Sequence, residues 1–351
     1  MQNSIHGGDV SAGKIEYDFS VNLNPLPIPK QVTDAMEKAL INVNRYPDYT
    51  SGKLICALAK KHGLKEAQIA VGNGSSELFM AVSHAFSPGR ILIPVPSFFG
   101  YEYAANAGNN EVVYYESDYR YADINPEELK AELKRGYDLL FLANPNNPTG
   151  RLIKKEELFS LFDTCQKQDV KVVLDECFYE LSEGTDSFFN DLNEYPNVIV
   201  VNSFTKTFSV PGVRIGYLAC ADEKLIKRIR KQLPEWNISC IAEAAGCACT
   251  ECGDFLKESA EYIKKERIFL TEELSRLGIR VFDSDVNFIL LYDERPLYDE
   301  LLKNGILIRD ASNFRGLRKG YYRIAVRSRE ENEKLIFVLR KIIRRLNVEP
   351  I

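Results

Sequence analysis

The chain has 351 residues, 45% hydrophobic and 27% charged, with a formal net charge of −5 at pH 7. That is the composition of an ordinary globular chain, long enough for two domains. The mildly acidic balance excludes a basic face for nucleic acid or an anionic membrane surface, and no stretch of ~18 apolar residues reads as a membrane span.

The first residues lack the basic, apolar and small-residue succession of a leader, so the expected compartment is the cytoplasm, with the eight cysteines reduced. An arm over residues 1–40 carries His6, Gly7 and Asn22. "GNGSSE" (72–77) then opens a helical stretch at 77–86. The runs at 91–95, 111–115, 138–143, 170–175 and 197–202 are short and apolar throughout, as strands buried on both faces are. Helical spacing at 126–135 and 154–168 falls between them, which predicts an α/β fold around a mostly parallel sheet. Residues 225–277 read as one long helical stretch. Within it, Cys240, Cys247, Cys249 and Cys252 lack a second Cys pair or a nearby His, so they read as small packed side chains and no metal is expected. The last third has α+β character and ends in a helix with a basic wet face. The expected division is 1–40 as an arm on the small domain, 41–240 as the large domain and 241–351 as the small one.

Ligands of open α/β sheets gather outside the carboxyl ends of the strands. Four polar groups fall there. Ser75 and Ser76 follow two glycines at a helix start, where free N–H groups and the helix dipole suit a phosphate. Asn147 lies in the Pro-braced "ANPNNPTG" (143–150) after a strand. Asp175 ends a buried strand, where a carboxylate needs a partner. Lys206 lies just past the strand 197–202, and Arg214 follows eight residues later. Singly these are an N-cap, a turn, a cap and two solvated cations. Together they are the groups that hold pyridoxal 5'-phosphate. In the last third, Arg309 follows a strand-like run, and "YYRIAVRS" places Arg323 and Arg327 four apart, on one face if extended; each offers a guanidinium fork to an anion.

"NPNNPTG", "VVLDE" and "SFTKTFSVPGVRIGY" resemble the signature set of the class I/II aminotransferase family, the fold type I pyridoxal-phosphate enzymes. The resemblance implies Lys206 bonded to the cofactor, Asp175 paired with its ring nitrogen, and Asn147 donating to its ring oxygen and facing substrate. It also implies Ser75, Ser76, Ser203 and Arg214 on the cofactor phosphate with Thr205 nearby, and Phe98 stacked on the ring. Tyr46 would reach the phosphate of the other subunit, so a homodimer is part of the site. "RYP" (45–47) and "GNGSSE" resemble the histidinol-phosphate aminotransferase branch. "HGGD" and "DFSVNLNPL" resemble the threonine-phosphate decarboxylase branch, which implies His6, Gly7 and Asn22 on the substrate with Arg309 and Arg323 as its anion-binding pair. The aminotransferase branch reads Asp-Glu-Ala-Tyr, whereas this chain reads Asp175-Glu176-Cys177-Phe178, and the decarboxylase branch shares the Phe. A longer helical insert of that branch is replaced here by residues 9–17. The expected activity is decarboxylation of L-threonine O-3-phosphate for cobalamin synthesis, with amino transfer from histidinol phosphate as the alternative.

Overall fold

The computed structural model describes residues 7–8, 14–116, 124–184 and 186–348. The arm contributes β1 (Tyr17–Asp18) and leads to α1 (Lys30–Ala39) and α2 (Gly52–His62). Strands and helices then alternate: β2 (Ile69–Gly72), α3 (Ser75–Ala85), β3 (Arg90–Val95), α4 (Phe99–Ala107), β4 (Glu111–Glu116), α5 (Pro126–Leu133), β5 (Leu139–Ala143), α6 (Lys155–Lys167), β6 (Lys171–Asp175), β7 (Val198–Ser203), the short α7 (Phe204–Thr207) and β8 (Gly216–Cys220). The last third holds α8 (Glu223–Arg230), α9 (Cys240–Cys249), α10 (Gly253–Arg276), β9 (Arg280–Val281), β10 (Phe288–Tyr292), α11 (Leu297–Leu302), β11 (Ile306–Leu307), β12 (Arg309–Asp310), β13 (Tyr321–Ala325) and α12 (Arg329–Val348).

The central sheet has seven strands in the order β2-β8-β7-β6-β5-β3-β4. All neighbours run parallel except β8, which is antiparallel to β2 and to β7. The five expected strands are five of these seven. β2 ("IAVG") and β8 ("GYLAC") were not read as strands: each is short, built largely of small residues with a glycine at one end, and becomes a buried strand by pairing with its neighbours. Along β5 the pleat sends Leu140 and Leu142 to one apolar cluster and Leu139, Phe141 and Ala143 to the other. Helices therefore cover both faces, as buried parallel strands require. Local signals set the helix starts: Asn125 caps α5 by accepting from the Glu127 and Glu128 N–H groups, with Pro126 at the first position.

The expected single helical stretch over 225–277 is three helices. Arg230 ends α8, and Pro234 with the left-handed Trp236 (φ 53°) keeps the chain out of helix before α9. A second break at Thr250–Cys252 separates α9 from α10. Ala242, Ala245, Cys249 and Cys252 pack into the cluster of the large sheet, whereas Leu270 and Leu274 of α10 belong to a separate cluster with α12. That cluster lies on the antiparallel sheet β12-β13-β10-β9. The arm joins it: β1 pairs with β11 in parallel, and Phe19 is fully buried. No described helix is long and apolar enough to cross a membrane.

Candidate active site

Strand ends of the central sheet build one wall of a cavity of about 700 Å³, and residues 309–323 of the small domain with Ser20–Asn22 of the arm build the opposite side. β6 delivers Asp175, the loop after β5 delivers Asn147, β2 hands over to α3 with Ser75 and Ser76, and β7 hands over to α7 with Ser203 and Lys206. Phe98, Arg214, Arg309 and Arg323 line the same space. Five basic side chains (Lys206, Arg214, Arg309, Arg315, Arg323) face two acidic ones (Glu102, Asp175). Such a cavity concentrates ligands with more than one negative group.

Lys206 is half-buried in α7, and its carbonyl accepts the Asn24 N–H at 3.0 Å, which ties the arm to the lysine turn. Burial first, and then the charge of Arg323, lowers its pKa to about 8. Asp175 is held at both oxygens: Oδ1 accepts the Cys177 N–H at 2.9 Å and Oδ2 accepts the Tyr101 hydroxyl at 2.5 Å. Burial pushes this carboxyl up, and the two donors oppose it. Tyr101 is fully buried, stacked on Phe141 with centroids 5.1 Å apart and edge-on to Phe79 and Phe98. Sequence reading missed Tyr101. Its signal was the spacing in "PSFFGYE", where a Tyr three positions after Phe98 falls on the same helix side.

At the other end, Gly74 enters α3 with φ +77°, and a Cβ there would run into the Arg214 guanidinium. The first turn of α3 has N–H groups with no partner inside the helix, beside Ser75 and Ser76. Arg214 reaches the Asn73 and Pro211 carbonyls only at 3.4 and 3.5 Å. The Ser203 hydroxyl caps α7 by accepting the Thr205 N–H at 3.2 Å, and it lies within 2.8 Å of Thr205 Oγ1 and 3.1 Å of the Ile215 carbonyl. It therefore already has a structural role at the cavity edge.

Arg323 crosses from the small domain to donate to Asn147 Oδ1 at 2.5 Å and to the Ser20 carbonyl at 2.8 Å. With its oxygen so engaged, Asn147 lines the cavity as a donor. Arg323 Nε and Asn22 Oδ1 are buried without a hydrogen-bond partner among the described residues, and Asn22 also lines the cavity. Buried polar atoms in this condition are candidates for ligand contact. Arg309 donates to the Asp310 carbonyl at 2.6 Å and to Asn313 Oδ1 at 2.8 Å. Arg327, on the same run as Arg323, pairs with Glu331 at 3.0 Å. Phe178 is buried edge-on to Phe288 at 5.1 Å and lines the cavity without a hydroxyl. Tyr179 places its hydroxyl on the Asp186 carbonyl at 2.8 Å instead.

Gly7 also lines the cavity, and a Cβ on it would collide with the Ser20 carbonyl. The Gly8 N–H donates to Ser20 Oγ at 2.7 Å. His6 lies outside the described residues. Tyr46 does not line its own chain's cavity: it is 85% exposed and rests against Trp236 with ring centroids 5.1 Å apart. Among the described residues no group of three or more His, Cys, Asp or Glu could hold a metal ion.

A family model described as aminotransferase class I and II matches residues 14–339. The threonine-phosphate decarboxylase of Salmonella typhimurium is 32% identical, with 97% of each chain covered. The histidinol-phosphate aminotransferase of Thermoanaerobacter pseudethanolicus is 36% identical, with 93% of each covered. The crystal structure of the histidinol-phosphate aminotransferase from Clostridium acetobutylicum has a TM-score of 0.88 and 32% identity, covering 94% of this chain and 99% of that one.

Proposed function

The chain belongs to the class I and II aminotransferase family, and from that premise we propose that it decarboxylates L-threonine O-3-phosphate to (R)-1-aminopropan-2-ol phosphate. The family cofactor is pyridoxal 5'-phosphate, and the cavity fits it: the Lys206 amine, a buried carboxylate with fixed donors, a helix start at Gly74 beside the Arg214 guanidinium, and Asn147 share one space. Lys206 would hold its aldehyde carbon, Asp175 its ring nitrogen, Asn147 its ring oxygen, Phe98 one ring face, and Ser75, Ser76, Ser203 and Arg214 its phosphate. When bound, this cofactor supplies a protonated ring that takes up the electron pair left on Cα when a bond there breaks.

The protein chooses which bond that is by orientation. A bond at Cα breaks most easily when it stands perpendicular to the ring, so the residues that hold the substrate anions select the reaction. Arg309 and Arg323, with Gly7, Asn22 and His6 of the arm, are the residues for that task. Carbon dioxide leaves, and the Lys206 ammonium delivers the proton that takes its place at Cα. The observation that carries the choice of decarboxylation is Phe178. It fills the position where the aminotransferase branch has a Tyr donor, and it presents only carbon to the cavity. The product would be the amino-alcohol linker of cobalamin. Amino transfer from histidinol phosphate is the second reading; it uses every cofactor residue, and the 36% identical relative supports it.

The test is two incubations of the holoenzyme. Threonine phosphate alone is expected to release carbon dioxide. Glutamate formation from histidinol phosphate plus 2-oxoglutarate, with no gas from threonine phosphate, replaces the first reading by the second.

A further inference from the structure

Arg309 does not stand alone on its strand. Its guanidinium donates to Asn313 Oδ1 at 2.8 Å and lies 5.2 Å from the centre of the Phe314 ring, so its direction follows the loop that carries both. The next residue of that loop, Arg315, leaves the small domain. It donates to Glu102 Oε1 on α4 at 3.1 Å and lies over the Tyr114 ring of β4 at 3.9 Å. Burial, and then the neighbouring Glu102 carboxylate, raise the pKa of the Tyr114 hydroxyl. At Gly316 an added Cβ would lie 3.6 Å from the Pro96 nitrogen, just past the end of β3. Glu102, Tyr114 and Arg315 all line the cavity.

These contacts form one continuous chain: large domain, Arg315, loop 313–314, Arg309. An arginine that combines an ion pair with a ring contact fixes orientation better than either contact alone, because the planar guanidinium must satisfy both. We propose that Arg315, pinned by Glu102 and Tyr114, is a positioning residue that sets the affinity for the substrate's anionic group through Arg309. This rests on the reading above that Arg309 takes a substrate anion, whichever of the two reactions follows.

The pair is partly exposed, with side-chain accessibilities of 45% for Arg315 and 23% for Glu102, so its effect is moderate. The test uses holoenzyme with Arg315→Gln, Glu102→Gln, the double variant and Arg315→Lys. Ligand binding is read from the change in visible absorption on titration with threonine phosphate and, separately, with histidinol phosphate; turnover is measured alongside. Each single Gln variant is expected to raise the half-saturating concentration of the bound ligand about fivefold. The double variant should lose no more than either single one, because both remove the same contact. Turnover at saturation and the unliganded spectrum should stay at wild-type values, and Arg315→Lys should recover part of the loss. Unchanged half-saturation in both single variants overturns the proposal, as do additive losses in the double variant or a changed unliganded spectrum. A wild type that binds these phosphates but converts neither removes the functional reading and leaves this one standing on the titrations.

Discussion

At Lys206 two forces act in the same direction. Burial disfavours the ammonium, and the Arg323 guanidinium repels it, so its pKa falls from 10.5 to about 8. The cost of burying the charged lysine is full below that value and is relieved as pH rises from about 8 toward 10.5. Only the neutral amine can attack the cofactor aldehyde. The rate at which cofactor-free protein captures pyridoxal 5'-phosphate is therefore expected to climb with pH and level off above about 8. In Arg323→Gln the midpoint should move upward, because a repelling cation is gone; stopped-flow absorbance across pH measures it, and a midpoint that stays in place would sink the coupling. Asp175 shows the opposite balance, with burial raising its pKa and donors from Tyr101 and Cys177 holding it down. Tyr101 thus supplies Asp175 with a hydroxyl partner from α4, while Phe178 beside Asp175 supplies none.

At the scale of elements, the cavity depends on abrupt handovers from strand to helix. β2 reaches α3 through Gly74, whose φ of +77° strains any side chain, and a Cβ there would push the Arg214 guanidinium out of its place. Gly74→Ala is expected to lower cofactor affinity by about tenfold, since left-handed backbone costs a non-glycine residue roughly 1–2 kcal/mol before the clash with Arg214 is counted. Far-UV circular dichroism should stay unchanged while equilibrium titration with the cofactor reports the loss; an unaltered affinity would show that the cradle is not built around this glycine. The handover from β7 to α7 follows the same logic, with Ser203 as the cap that aims the lysine turn. The break between α9 and α10 matters differently: it lets one helix pack on the large sheet and the next on the small-domain cluster.

At the scale of the whole molecule, the site lies where the large domain, the small domain and the arm meet, and one expected component is missing from it. Tyr46 is exposed and rests against Trp236, and Leu40, Ile41, Val43 and Tyr49, its neighbours in sequence, are exposed as well. Exposed apolar groups gathered in this way suit a protein interface, and we propose that a second copy covers them and receives Tyr46 at its own cofactor phosphate. Mixing Lys206→Ala protein with Tyr46→Ala protein after mild unfolding is expected to restore a fraction of the activity, because a mixed dimer has one site with both residues. Sedimentation as a monomer, or no recovery on mixing, would contradict it.

Much is legible in the sequence alone. Apolar runs of strand length marked five of the seven sheet strands, and polar residues just beyond them marked Asn147, Asp175 and Lys206, because the carboxyl ends of parallel strands are where such a fold exposes polar groups. The glycines and serines of 72–77 were legible for a similar local reason. Tertiary structure decided what depends on distant chain segments. Tyr101 meets Asp175 across 74 positions, Arg323 meets Asn147 across 176, and Arg315 meets Glu102 across 213. β8 became a strand only because β2 and β7 offered it edges. Local composition fixes hydrophobic period and turn chemistry, but which side chains share a cavity is set by the packing of elements that the period alone does not order.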